Sequence, residues 1–394
     1  MVQQIRFDVV TEAAGFRALE SDWRDLCGRA APHSVFRQFD WQWRAWQHIA
    51  SARGCRLRIL VGRIAARIVL IWPLVLDGRQ IRFLCSEKFE YRDVLVEQGR
   101  DATAWIAAAW WQASRLEGGR TLDLSDVRAG SVLGGFLDGS VRYGLRRKAG
   151  SPVIRLDRFD GWRAYAASLP KRLMADQRRQ WRRLETIVGG EPFHIVSDDV
   201  EIDALVDWIF THKLVWAAQR SIATGIYSMG CYRNFIKAVL HDAMASGSLM
   251  LCRLGPANAI LSAGFGFVHG GRFVFYMFAY DANYHLISLS RLLMERVIRW
   301  CMERGLASFD FLPGSEPYKR VWADAQEGVV DYLIPVTLFG HGQIAWIRHV
   351  VMPLASQEWL RRRYLVMPRP VRGTLRRLLA GGWDAISAMQ PTKR

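Results

Sequence analysis

The 394-residue chain is short of most features that would fix its chemistry at a glance. Its six cysteines, Cys27, Cys55, Cys85, Cys231, Cys252 and Cys301, stand singly, with no Cys-x-x-Cys pair and no histidine pair at metal-ligand spacing. That excludes a zinc-finger type of site, so no metal is expected and the cysteines read as reduced core thiols. There is no Gly-x-Ser-x-Gly nucleophile elbow and no phosphate-binding P-loop. No run approaches the roughly 20 apolar residues of a membrane span, and residues 1–16 lack the unbroken apolar stretch of a secretion signal. The expected location is therefore cytoplasmic. Acidic residues are also in deficit, 37 against 54 Lys and Arg, for a net charge of +17.

Half of the residues are hydrophobic and under a quarter are charged, the composition of a folded chain long enough for two domains. The 17 tryptophans suit thick cores first, and sugar-stacking or interfacial surfaces second. The basicity sits in two segments. Residues 341–394 hold ten Lys or Arg against Glu358 and Asp384, and residues 171–183 hold six against Asp176. Either could face a polyanion or be a solvated helix face.

Periodicity predicts helix over 11–29, an aromatic entry through Phe36, Phe39, Trp41, Trp43 and Trp46, and strands at 56–62, 68–76 and 81–85. Asp77-Gly78 marks a tight hairpin between the last two. A helix at 102–116, a strand at 121–125, a helix at 129–138 and strand runs at 141–156 complete a first α/β unit, residues 1–156. A basic helical insert occupies 157–190. The second unit, 191–340, runs from a strand at 193–196 through helices 200–220 and 229–245 to strands 249–254, 259–268 and 273–280. Helix 288–304, stopped by Gly305, then leads to strands 306–311 and 329–338. Gly264 to Gly271 lies between two strands and so reads as a hairpin rather than a dinucleotide loop. The tail, 341–394, mixes Trp346, Ile347, Val350, Leu354, Trp359 and Leu360 with arginine in a basic amphipathic pattern.

Two stretches can carry chemistry. Strand 273–280, ending at Tyr280, passes through a loop containing His285 to a helix start at Ser288, Leu289, Ser290 and Arg291. Exposed N–H groups, hydroxyls and a cation there suit a phosphate, although Ser288 is equally an N-cap. Phe309 to Trp322 is an apolar strand that ends in Pro, Gly and Ser and delivers Asp310, Glu316, Tyr318 and Lys319 to a turn, where loops carry chemistry and burial retunes pKa. Tyr91 and Asp93, at a strand end, and Lys213 and Trp216, on a helix, are candidates to line a cleft. Each of these residues has an ordinary structural use as well.

The pattern Phe-Asp-Phe-x-x-Gly-x-Glu-x-Tyr-Lys-x-x-Trp at 309–322, with the strand, loop and helix before it, resembles the C-terminal half of the CelD-type acyltransferases. These belong to the GNAT superfamily, are similar to the FemAB peptidyltransferases, and are associated with cellulose and exopolysaccharide loci. The basic helix at 171–185 and the aromatic entry at 36–46 extend the resemblance to about residue 340. It implies an α/β (α+β) fold of two tandem GNAT-like domains with mixed, largely antiparallel sheets flanked by helices. It also implies acetyl-CoA or another acyl-CoA as co-substrate, and a sugar- or amine-bearing acceptor from an envelope or polysaccharide precursor. Glu316 is then the first candidate base and Asp310 the second. Tyr318 would protonate the departing thiolate, and Lys319, in a position important among FemAB-like proteins, would hold an anion. Tyr280, Ser288, Leu289, Ser290 and Arg291 would bind the cofactor, and Tyr91, Asp93, Lys213 and Trp216 the acceptor. Ser288-Leu289-Ser290 departs from the Ser-Pro-Gly type of loop usual there. The basic tail would meet an inner-membrane surface or a polysaccharide synthase. Two other readings stay open: a FemAB-like aminoacyl transferase using charged tRNA, and a non-catalytic accessory protein.

Overall fold

Two long strands distant in sequence, Leu145–Arg155 and Ala325–Pro335, pair antiparallel from Val153–Ala325 to Leu145–Leu333 and stitch the chain together. In this computed structural model the described residues are 4–351, apart from 33, 85–89, 141–143, 220–224, 257, 285 and 315. Among them, eleven strands form one sheet around that central pair. On one side, Leu145–Arg155 is followed by Ser308–Asp310, Arg272–Tyr280, Ser262–His269, Leu249–Leu254 and Phe193–Val196. On the other, Ala325–Pro335 is followed by Thr121–Arg128, Gln80–Phe83, Leu74–Asp77 and Arg56–Leu57. Each side therefore borrows its innermost strand across the sequence, because Ala325–Pro335 pairs with Thr121–Arg128 and Leu145–Arg155 with Ser308–Asp310. Most pairings are antiparallel, and each side has one parallel pair: Gln80–Phe83 with Thr121–Arg128, and Arg272–Tyr280 with Ser308–Asp310.

Helices cover the sheet as the apolar periodicity requires. Ile202–Gln219 and Gly230–Ala245 bury Leu205, Ile209, Phe210, Phe235 and Leu240 against one face, and Leu289–Glu303 buries Leu292, Leu293, Val297 and Cys301 against the other. Gly305, with φ of +66°, ends that last helix as expected. The hairpins expected at Asp77-Gly78 and at Gly270-Gly271 are present, with both second-hairpin glycines left-handed. Among the described tryptophans, Trp23, Trp72 and Trp322 are fully buried, most others are half-buried, and Trp111 is exposed.

The first sixty residues were less legible. Arg6–Val10, to which periodicity assigned no element, is a strand, and with Ile59–Ile64, Arg67–Trp72 and Leu95–Val96 it makes a separate four-stranded sheet. Its alternation is only half-buried, which gave no strong strand signal. The basic insert is two helices, Gly161–Ser168 and Lys171–Val188. Cys85, His285 and the tail beyond residue 351, with Leu354, Trp359 and Leu360, lie outside the described residues. No helix among the described residues is long and apolar enough to cross a membrane.

Candidate active site

The parallel pair Arg272–Tyr280 and Ser308–Asp310 stays in register only from Arg272–Ser308 to Val274–Asp310. Beyond that point the two chains part, and a cavity of about 160 Å³ opens in the gap. Its walls are Phe275, Tyr276, Met277 and Phe278 from one strand and Phe311, Leu312 and Pro313 from the other. Tyr227, Tyr232 and Lys213 close it from the helical side, and Glu90 reaches it from the first half of the chain. The short helix Pro317–Trp322, with Pro at its start, sets Glu316, Tyr318 and Lys319 at the rim. Thus four of the residues singled out in the sequence, Lys213, Glu316, Tyr318 and Lys319, meet around one space.

Lys319 is 6% exposed. Its Nζ lies 3.0 Å from Glu316 Oε2 and donates to the carbonyls of Leu312 (3.2 Å) and Pro313 (3.4 Å). These contacts need Gly314, because a Cβ there would fall on Glu316 Oε2 and Lys319 Nζ. The Glu316 side chain stays about half exposed. Burial, reinforced by the neighbouring Glu316 and Tyr227, pushes the Tyr318 phenol well above its ordinary value, so it keeps its proton. Its ring meets Phe278 edge-on, and the Lys213 ammonium sits over Phe278 at 4.9 Å. The hydroxyls of Tyr232 and Tyr276 are 3.0 Å apart. Two cations, two carboxylates and several phenols thus converge on an aromatic-walled gap.

Asp310 corrects one expectation. It is completely buried and does not line the cavity. Its carboxylate accepts from Tyr91 Oη (2.7 Å), Ser151 Oγ (3.0 Å), Arg272 Nη1 (2.7 Å) and the Leu312 N–H (2.8 Å). A carboxylate so filled holds neighbours in place and has no lone pair turned to an acceptor's proton. Tyr91 and Asp93 are likewise buried away from the cavity. Asp93 faces Arg37 at 3.6 Å and accepts from the Val94 N–H. Burial shifts both members of that pair toward neutrality, raising Asp93 and lowering Arg37. Trp216 lies under Lys213 at 5.3 Å without lining the cavity. His212, stacked on Trp208 and bonded to its carbonyl, is a packed histidine.

The helix start at Ser288 is also occupied by the protein itself. Arg291 Nη2 donates to Asp176 Oδ2 (2.5 Å) on Lys171–Val188 and to Ser288 Oγ (2.6 Å), and two arginines hold the Asp176 carboxyl below its usual range. The N–H groups of Leu289 and Arg291 are engaged by the carbonyls of Ile287 and Ser288. Tyr280, Ser288, Leu289, Ser290 and Arg291 do not line the cavity. A phosphate placed at this end has to displace Asp176 from Arg291. The donor set is right in kind, and the cradle is closed as it stands.

Sequence reasoning missed Tyr227, Tyr232, Tyr276, Phe278 and Glu90 as cavity walls, and Arg272 and Ser151 as partners of Asp310. Only Arg272 left a trace, as a lone charge opening an otherwise apolar strand.

Residues 171–320 match the family model of an acetyltransferase (GNAT) domain. The segment runs from the basic helix to Lys319 and Arg320, so it encloses most of the cavity and its parted strands. No curated protein matches the chain. Among solved structures, FemX is similar in fold, with a TM-score of 0.52 at 11% identity over 84% of this chain and 96% of FemX. The C-terminal domain described as that of a lysylphosphatidylglycerol synthetase from Agrobacterium fabrum has a TM-score of 0.52 at 12% identity, covering 84% and 94%. A conserved protein of unknown function from Bacteroides thetaiotaomicron has a TM-score of 0.50 at 11% identity, covering 84% and 100%. These likenesses are of fold. The mixed, mainly antiparallel α/β architecture with helices flanking the sheets is the one the resemblance implied.

Proposed function

We propose that the chain is an acyl-CoA-dependent N- or O-acyltransferase whose acceptor is an amine or hydroxyl of a polysaccharide or envelope precursor. The observation that carries this reading is the cavity between the parted parallel strands of the GNAT domain, rimmed by Glu316, Tyr318 and Lys319. A bound acyl-CoA would supply an acyl group activated as a thioester. Glu316, half exposed at the rim, accepts the proton that the attacking amine or hydroxyl must lose. Tyr318, kept protonated by burial, is a hydrogen-bond donor for negative charge that develops in the cavity. Lys319 and Lys213 add positive charge on two sides of the same space. Arg291, Ser288 and Ser290 are the groups that would hold the phosphates, once Arg291 exchanges Asp176 for the ligand.

The test is thermal unfolding with and without acetyl-CoA, followed by release of free thiol in the presence of amine and sugar acceptors. Stabilisation by a few degrees at saturating ligand, reduced in Arg291→Ala, is expected. Absence of any shift with acetyl-CoA or longer acyl-CoA contradicts the reading. A second reading has its own support: Lys171, Arg172, Arg178, Arg179, Arg182 and Arg183 are all exposed on one helix, as an aminoacyl transferase gripping tRNA phosphates would need. Salt-sensitive tRNA binding, lost when Arg178, Arg179, Arg182 and Arg183 are neutralised, is its signature.

A further inference from the structure

The left-handed region is costly for a side chain branched like leucine, about 1–2 kcal/mol, yet Leu312 sits there at φ of +63° in the cavity wall. Two bonds account for this. The Leu312 N–H donates to Asp310 Oδ1 (2.8 Å), and the Leu312 carbonyl, turned the other way, accepts from Lys319 Nζ (3.2 Å). Asp310 is in turn fixed from the first half of the chain, by Tyr91 Oη (2.7 Å) and by Ser151 Oγ (3.0 Å). Tyr91 is itself left-handed, at φ of +58°, and its ring lies under the Arg128 guanidinium at 4.1 Å. The remaining charge is balanced by two guanidiniums against two carboxylates, since Arg272 spans Asp310 and Glu327 and Arg128 lies 3.8 Å and 3.5 Å from the same pair.

We propose that Tyr91 and Ser151 are positioning residues for Lys319, acting through Asp310 and the left-handed Leu312. The chain of contacts is continuous: Tyr91 and Ser151 orient the carboxylate, the carboxylate holds the Leu312 amide, and that peptide geometry aims a carbonyl at the ammonium. No member but Leu312 and Lys319 touches the cavity. The first half of the molecule thereby sets the position of a cation in the second, across the seam where the central strands are exchanged. Loss of the Asp310 hold lets Leu312 leave the left-handed region, and its carbonyl swings away from Lys319. A glycine at 312 removes the reason to leave, because it adopts positive φ without penalty.

This rests on Lys319 belonging to the site, but its geometry can be read without turnover, so the two ideas fail separately. The experiment is pulsed labelling of the full chain with an amine-reactive acetylating reagent, with the rate at Lys319 read by peptide mass spectrometry. Tyr91→Phe, Ser151→Ala and Asp310→Asn are compared with Asp93→Asn, a buried carboxylate elsewhere, under conditions where circular dichroism shows all of them folded. The expected result is a Lys319 rate raised at least threefold in Tyr91→Phe and more in Asp310→Asn, and unchanged in Asp93→Asn. Adding Leu312→Gly to Tyr91→Phe returns the rate toward that of Leu312→Gly alone. A wild-type rate in both Tyr91→Phe and Ser151→Ala overturns the proposal, whatever Asp310→Asn does. So does a raised rate that Leu312→Gly fails to lower, which indicates general loosening. Where Asp310→Asn does not fold, Tyr91→Phe and Ser151→Ala decide, since each removes one hydroxyl only.

Discussion

The two sides of the large sheet are built alike and end differently. Each has one parallel strand pair next to a strand exchanged from the other side. In the second half the pair parts beyond Val274–Asp310 and leaves about 160 Å³, edged with lysine, glutamate and tyrosine. In the first half, a space of only about 10 Å³ is lined by Phe83 and Leu84, just past the last paired residue Arg82, with Pro73 and the buried Arg37–Asp93 ion pair, and Thr121–Arg128 takes no part in its walls. The candidate site thus lies between the two strands of the second pair, while the small space beside the first pair is a packed joint. The joint is not idle, because it supplies Tyr91 to the network that shapes the opposite cavity.

Substitutions that exchange the characters of the two sides test this contrast. Lys319→Ala should have the largest effect on turnover, a fall of about 10²–10⁴-fold in thiol release at saturating substrate if the ammonium acts in the transition state. The same change leaves the buried carbonyl of Leu312 without its donor, at about 1–3 kcal/mol in urea unfolding. Gly314→Ala should lower turnover by roughly 10- to 100-fold, through displacement of Glu316 and Lys319 by the new methyl group. On the packed side the balance reverses. Arg37→Met leaves Asp93 buried without its cation, so unfolding free energy should fall by about 3–5 kcal/mol while turnover per folded molecule changes little.

The seam between the sides gives a smaller, pH-dependent effect. Burial works to raise Glu327, but its bonds to Arg272 outweigh that, and the carboxyl is held below its ordinary value of 4.5. A group with a depressed folded pKa stabilises above its unfolded value and loses that contribution as pH falls through the folded one. Acid unfolding curves should therefore steepen below pH 4.5, and less so in Glu327→Gln. Neutralising Arg178 and Arg182 on the exposed helix face should move stability by no more than about 0.5 kcal/mol. A large loss there would mean that this face packs against something.

Much of this was legible in the sequence because local signals and burial agreed. The helix ending at Gly305, the hairpin at Asp77-Gly78 and the apolar run into Glu316-Pro317-Tyr318-Lys319 each carry a local rule that the tertiary structure obeys. What escaped was long-range. Nothing in the neighbourhood of Tyr91 or Ser151 announces that both meet Asp310, more than 150 positions away, since that contact depends on exchanged strands. Asp310, the second candidate base under the resemblance, is an acid in an apolar strand, buried because four donors surround it. Arg291 was read as free for phosphate, and its partner Asp176 comes from a helix that sequence distance made invisible.

Amide hydrogen exchange with and without acetyl-CoA compares the two sides in a single measurement. The account predicts added protection at 273–280, 288–292 and 309–322, with 80–84 and 121–128 unchanged. Protection centred on 80–84 and 121–128, or none anywhere at millimolar ligand, would contradict it.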